Sequence, residues 1–222
     1  MNYCKSLKSL VLHECLYITD NGLEIIATNC PQLENLELSE CNRLTIIGIK
    51  SLVDNCKNLS QLSLNDCINV NPNGIRYVTK NCKLKHLSLS RYIHLTDSLI
   101  QDIAINLRDV TVLDLGWCEL LSDKSIYHIA TNCLTLQKLH IHGCDLISNN
   151  GLKSIADNCC TLEELLLSIY DENVNDLSDG LKGVADKCTA LKKLSLVKYQ
   201  ISNTLRAYLN GRIRKVIIAN HS

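Results

Sequence analysis

Apolar residues recur along the chain at two alternating spacings. In Leu10-Val11-Leu12 the core-type residues are two apart, and the same step returns at Leu36/Leu38, Leu62/Leu64, Leu87/Leu89, Leu113/Leu115, Leu139/Ile141, Leu165/Leu167 and Leu194/Leu196. A period of two predicts short strands with one buried face. After each strand the period lengthens. Leu23, Ile26 and Ala27 stand at i, i+3 and i+4, as do Ile126, Ile129, Ala130 and Leu152, Ile155, Ala156, with Leu99, Ile103 and Ala104 close to it. That spacing predicts a short helix turned toward the same core. The helices are expected to begin after Thr19-Asp20, Thr96-Asp97, Ser122-Asp123 and Ser148-Asn149, whose side chains can accept bonds from free N–H groups at a helix N-terminus. They are expected to stop at Asn29, Asn55, Asn81, Asn106, Asn132 and Asn158, because Asn tolerates the left-handed conformation that closes a helix. Gly22, Gly74 and Gly151 are assigned to turn geometry at the helix start.

The cysteines measure the repeat. Cys4, Cys30, Cys56 and Cys82 are each 26 residues apart, and Cys133 to Cys159 is the same step. A second series, Cys15, Cys41 and Cys67, runs eleven residues behind the first and resumes from Cys118 to Cys144. Eight units then begin at Cys4, Cys30, Cys56, Cys82, Leu107, Cys133, Cys159 and Cys188, the seventh with a longer turn at Asp171–Asp176. A partial unit over 211–219 ends the array, and only Met1, Asn2 and Tyr3 precede it. One strand and one helix cannot bury their own apolar faces, but stacked copies share a continuous core. The expected fold is therefore α/β: a right-handed solenoid over residues 1–222, read as a single domain. Strands need about 4.8 Å each and helices nearer 10 Å, so a parallel sheet should line the concave side and helices the convex side.

The repeat also decides what the 13 cysteines are. Cys160 merely follows its neighbour, the others hold fixed places in the unit, and no paired C-x₂₋₄-C spacing of a zinc site occurs. Tyr92, Tyr170 and Tyr199 take the strand-end place in other units, an exchange that a metal ligand would not allow. The thiols are expected to be small buried hydrophobes, with no metal and no cofactor. Lys and Arg number 23 and Asp and Glu 23, with a sequence pI near 7.0, which removes the blanket positive charge of a general nucleic-acid or acidic-membrane binder. No apolar run approaches the roughly 20 residues that span a bilayer, and the first residues lack the basic and apolar regions of a signal peptide. An intracellular protein, cytoplasmic or nuclear, is expected.

The spacing L-x-x-L-x-L-x-x-C, followed by I/L-T/S-D and closed by the cysteine of the next unit, resembles the cysteine-containing leucine-rich repeat of F-box/LRR proteins from Cys4 to about Leu209. That resemblance implies a horseshoe whose arc holds a protein substrate for an SCF-type ubiquitin ligase, with an F-box docking to the cullin adaptor. The antagonist-of-mitotic-exit-network proteins are similar and keep the arc without an F-box. An F-box needs tens of residues ahead of the repeats, where three stand here. Two readings follow: a substrate-binding arc whose F-box is missing or separate, or a repeat-only regulator that sequesters or competes for a partner. The start at a first strand leaves Leu7, Leu10 and Leu12 beside an open sheet edge, mild support for a missing or partner-supplied cap.

Candidate binding residues follow from the register. Trp117, the sole tryptophan, comes just after the fifth strand, on or at the rim of the concave face, with Arg91 and Asp114 beside it and His140 and His142 in the next unit. Exposed Trp and Arg near the middle of an interface are the types that most often carry binding energy. His140 and His142 alternate on one strand and are expected to be exposed binding-face residues, since no third partner completes an acid/base or metal set. Units one to three carry Glu14, Glu37, Glu40 and Asp66 on this face, against Lys138, Lys193, Lys198 and Lys215 with Glu164 in units six to nine. The neutral total thus conceals opposite-signed ends, suited to orient an extended protein partner. No Walker loop, G-x-S-x-G or H-E-x-x-H motif occurs, so an enzyme is not expected.

Overall fold

The computed structural model describes residues 4–168, 176–197 and 201–219; the Asp171–Asn175 part of the long turn, Tyr170, Lys198, Tyr199 and the Met1–Tyr3 leader lie outside them. Strands and helices alternate. The first half runs β1 (Ser9–Val11), α1 (Asp20–Asn29), β2 (Asn35–Glu37), α2 (Ile46–Asn55), β3 (Gln61–Ser63), α3 (Pro72–Asn81), β4 (His86–Ser88) and α4 (Asp97–Asn106). The second half runs β5 (Val112–Asp114), α5 (Asp123–Asn132), β6 (Lys138–His142), α6 (Asn149–Asn158), β7 (Glu164–Ser168), α7 (Ser178–Lys187), β8 (Lys193–Val197), α8 (Asn203–Asn210) and β9 (Lys215–Ala219). The nine strands form one parallel sheet in sequence order, as a solenoid requires.

Register sets one repeat directly on the next. Leu36 pairs with Leu62, Leu62 with Leu87, Leu87 with Leu113 and Leu113 with Leu139, so the inward leucines form a continuous buried row. Each such side chain contributes about 2–3 kcal/mol of burial. The pairing extends past the strand ends, where Leu38 N–H donates to the Ser63 carbonyl at 3.0 Å and Glu40 N–H to the Asn65 carbonyl at 2.8 Å. In the first unit Leu7, Leu10 and Leu12 are half-buried on the sheet edge.

Cysteine closes the strand turns. The Sγ–H groups of Cys41, Cys67, Cys118 and Cys144 reach the carbonyls of Leu12, Leu38, Leu89 and Leu115, one repeat back, at 3.1–3.2 Å. Tyr92, in the place of the cysteine, also ties to the preceding repeat but reaches further, its hydroxyl donating to the Val70 carbonyl at 2.5 Å. Burial pushes the Cys56 thiol up to about 11 and the Cys67 and Cys144 thiols up to about 12, which keeps them protonated at neutral pH.

Two local expectations are corrected. The asparagines Asn29, Asn55, Asn81, Asn106, Asn132 and Asn158 do not adopt the left-handed conformation; each is the last helical residue and its Nδ2 donates to the carbonyl four residues back, at 2.7–3.0 Å. The left-handed residues sit after the strands instead: Glu14, Glu40, Asp66, Arg91 and Trp117, with φ of 53–62°, and Gly143 at 72°. Gly22, Gly74 and Gly151 are helical and have no positive φ. A Cβ at Gly151 would lie 2.6 Å from Asp123 Oδ1, so that glycine admits the carboxylate of the preceding repeat.

That carboxylate belongs to a ladder between helices. Thr19, Thr96, Ser122 and Ser148 cap their own helices, but the residue that follows, Asp20, Asp97, Asp123 or Asn149, serves the next repeat. Asp20 accepts from Thr45 N–H and Oγ1–H; Asp123 accepts from Ser148 N–H, Ser148 Oγ–H and Gly151 N–H. Asp97 accepts from Ser122 N–H, Ser122 Oγ–H and the fully buried Ser125 hydroxyl. Burial acts to raise the Asp97 pKa, but the bonds from Ser122 and Ser125 outweigh it and hold the carboxyl below its ordinary range.

Asp97→Ala strands the Ser125 hydroxyl and is expected to cost about 2–3 kcal/mol in urea unfolding; Asp54→Ala, whose carboxylate only accepts from the Tyr77 hydroxyl on the surface, should cost well under half of that. In native thiol titration Cys4 and Cys160 should react at once and half-buried Cys15 slowly, while the ten buried thiols react only on denaturation.

Candidate functional site

The concave face is built from alternate strand residues whose neighbours fill the core. In the middle repeats these are small and polar: Ser39, Ser63 and Ser88 are nearly buried, and Asn65 is half-buried. Ser88 Oγ–H and Ser90 N–H donate to Asn65 Oδ1 at 2.7 and 2.8 Å, and the Ser39 and Ser63 hydroxyls lie 2.8 Å apart. Glu37 accepts from Ser39 N–H at 3.0 Å and from its hydroxyl. Larger residues beside this serine floor turn it into a trough of about 420 Å³ that runs from Ser9 and Val11 of β1 to Asp114 of β5, with Gln61 and His86 on one wall and Glu37 part-way along.

The left-handed positions form the rim. With φ near 60°, Glu40, Asp66, Arg91 and Trp117 leave the sheet at the same angle and stand in a row. The Arg91 guanidinium lies 5.8 Å from the centre of the Trp117 ring, an attractive cation–π arrangement. On its other side Trp117 meets His142 edge-on, ring centres 6.3 Å apart. Gly143 is needed beneath it: a Cβ there would lie 2.8 Å from the indole, and its φ of 72° disfavours any other residue.

Two further depressions continue from the trough in turn. One, of about 230 Å³, shares Asn65 with it and is bounded by Glu40, Asp66, Arg91, Trp117 and His142. The other, of about 430 Å³, shares Asp66, Arg91 and Trp117 with the second and passes over the rim to Ile93 and Leu120. Sheet face and rim thus form one continuous channel.

Of the sequence candidates, Glu40, Asp66, Arg91, Trp117 and His142 come together on the rim, and Glu37 and Asp114 line the trough. Trp117 is half-buried rather than freely projecting. His140 and His142 are not exposed: both are half-buried, and His140 Nε2 and His142 Nδ1 are shielded from solvent without a hydrogen-bond partner. His142 lies across Gly116, where a Cβ would be 2.1 Å from the ring, so the absence of a side chain there draws the imidazole down onto the sheet. His140 does have carboxylates on both sides, Asp114 Oδ2 at 3.8 Å and Glu164 Oε1 at 3.8 Å. Burial acts to raise the pKa of Asp114, but His140 and the Gly116 N–H hold it below the ordinary range.

The opposite-signed ends are unequal in quality. Lys193 and Lys138 both turn to Glu164, at 2.5 and 3.9 Å, so much of the expected positive end is internally compensated. Glu14 pairs with His13 at 3.0 Å. His13, Glu14 and Glu40 also converge closely enough to offer three metal-ligand atoms, yet His13 and Glu14 are exposed and their mutual 3.0 Å contact already accounts for the approach. Sequence reasoning missed Ile93 and Leu120, 60% and 54% exposed. Their position after the strand-end Cys or Tyr was the available signal.

With this geometry in view, comparison with known proteins is informative about the fold. The chain is similar to one chain of the crystal structure of the Rad7 and Elc1 complex in yeast, with a TM-score of 0.57 and 16% identity over 96% of this chain and 70% of that one. The fold is that of a leucine-rich-repeat solenoid. No protein-family model matches the sequence, and no curated protein matches it. Among the described residues no helix is long and apolar enough to cross a membrane.

Burial holds the His142 and His86 pKa values below the ordinary histidine value, in His142 aided by nearby His140 and Arg91 and opposed by Asp114. The folded state therefore favours the neutral rings, a contribution fully present above the unfolded pKa of about 6.5 and lost as pH falls through the lower folded values. Stability should decline as pH falls below about 6.5, and Trp117 emission should change with a midpoint below about 6.5. In His142→Asn that emission change should vanish; its persistence would place the titrating group elsewhere.

Proposed function

We propose that the chain is a non-catalytic protein-recognition solenoid whose partner lies along the concave face and crosses the rim at Arg91 and Trp117. The observation that carries the reading is the continuity of the serine-floored trough with the Arg91–Trp117 rim. A long groove of hydrogen-bonding groups with an aromatic and an arginine at its lip suits an extended polypeptide. A small-molecule pocket would be deeper and more enclosed.

On the family resemblance, the finer proposal is substrate selection in SCF-type ubiquitin-dependent degradation. The similar solved chain comes from a complex of Rad7 with Elc1, which supports a role in a protein assembly. Docking to a cullin adaptor would fall to an F-box supplied by a further segment or subunit, since the eight helices among the described residues all alternate with strands of the one sheet. A repeat-only regulator that sequesters a partner fits the same face. Recovery of cullin and its adaptor with the purified chain supports the ligase reading, whereas a stable binary partner without them supports the regulator.

Affinity capture should show the rim at work. The Trp117→Ala, Arg91→Ala double variant is expected to lose the partner by tenfold or more, while Lys215→Ala on the last strand retains it. Retention of every partner by the double variant would refute the rim as the binding centre.

A further inference from the structure

The excess of carboxylates along the channel points to the chemistry of its occupant, given the protein-recognition reading on which this inference rests. Glu37 and Asp114 border the trough, Glu40 and Asp66 the rim, and Glu119 the outer depression, against Arg91 alone among lysines and arginines. Elsewhere several acids are neutralised within the chain: Glu34 pairs with Lys8, Asp102 with Arg76, Glu163 with Lys192 and Glu164 with Lys193. No lysine or arginine pairs with any of the five channel carboxylates among the described residues. The one cation in the channel is turned onto the Trp117 ring. Glu37 accepts from Ser39 through one oxygen, Oε1, which leaves the other for an incoming donor.

The dimensions and apolar content add to the charge. Five strands about 4.8 Å apart give a path of about 19 Å, the length of about six extended residues. At its outer end Ile93 and Leu120 are more than half exposed beside Trp117, and the buried Tyr92 and Leu95 close the depression beneath them. This end is apolar enough to take a large hydrophobic side chain.

We propose that the channel binds an extended peptide segment of a partner protein that carries lysine or arginine along the trough and, at one end, an aromatic or large aliphatic residue seated between Ile93, Leu120 and Trp117. The basic side chains supply the charges that Glu37, Glu40 and Asp66 lack. The apolar residue covers the exposed Ile93–Leu120 surface, and the exposed Gln61 amide on the trough wall hydrogen-bonds the segment's backbone.

Selection of a random heptapeptide display library on the immobilised full chain tests this. The enriched sequences should carry at least one Lys or Arg within a few residues of a Trp, Phe, Tyr or Leu. A synthetic peptide of the enriched sequence should change the emission of Trp117, the chain's sole tryptophan. Its affinity should fall with added salt and weaken about tenfold in Glu40→Gln, Asp66→Asn, and by a similar factor in Ile93→Ser; thermal unfolding confirms that the variants fold. Enrichment of acidic or uncharged sequences, or binding indifferent to these substitutions, overturns the basic-segment proposal and leaves protein recognition standing. A library from which nothing is enriched overturns both.

Discussion

The constraint on which everything else depends is the hydrogen-bonded register between consecutive strands, which sets each residue beside its counterpart one repeat away. Parallel pairing from β1 to β9 aligns the inward leucines into one core row and, by the same act, aligns the outward residues into rows on the concave face. No repeat could bury its own apolar stripe, so the core and the binding face are products of stacking. A register slip of one residue would exchange the two faces.

Three cross-repeat devices hold that register: the strand ladder, the strand-end thiol or Tyr92 hydroxyl reaching one repeat back, and the carboxylate of one helix start bound by the cap residue of the next. The last explains why the serine or threonine cap and the acidic residue behind it occur together. The first caps locally, and the second spans the gap to its neighbour. Where Ile46 opens α2 and Pro72 opens α3 no such side chain is available, whereas at α6 the Asn149 amide oxygen replaces the carboxylate and accepts from the Gly180 N–H.

The strands, the 26-residue step, the structural role of the cysteines and the location of Trp117 beside Arg91 were legible from spacing, because a repeat reports its own register. Contacts between residues of different repeats were not. Asp97 reads as a cap until Ser122 is placed against it, and His142 reads as an exposed residue until Gly116 is seen to leave room beneath the ring. The left-handed turn was also hidden, since Glu40, Asp66, Arg91 and Trp117 lack the glycine or asparagine that signals it. It is this turn that aligns them as a rim. Charge counting found the acidic half of the face but overrated the basic half, because it could not see Lys138 and Lys193 spent on one Glu164.

Hydrogen exchange of the chain, alone and bound to a captured protein partner, measures the central claim most directly: that recognition uses the trough and its rim. The account predicts slowed exchange in the segments that form them, 35–41, 61–67, 86–93 and 112–120, with the helices unchanged. Slowing confined to α1–α8, with those segments untouched, would place the partner on the convex side and contradict the account.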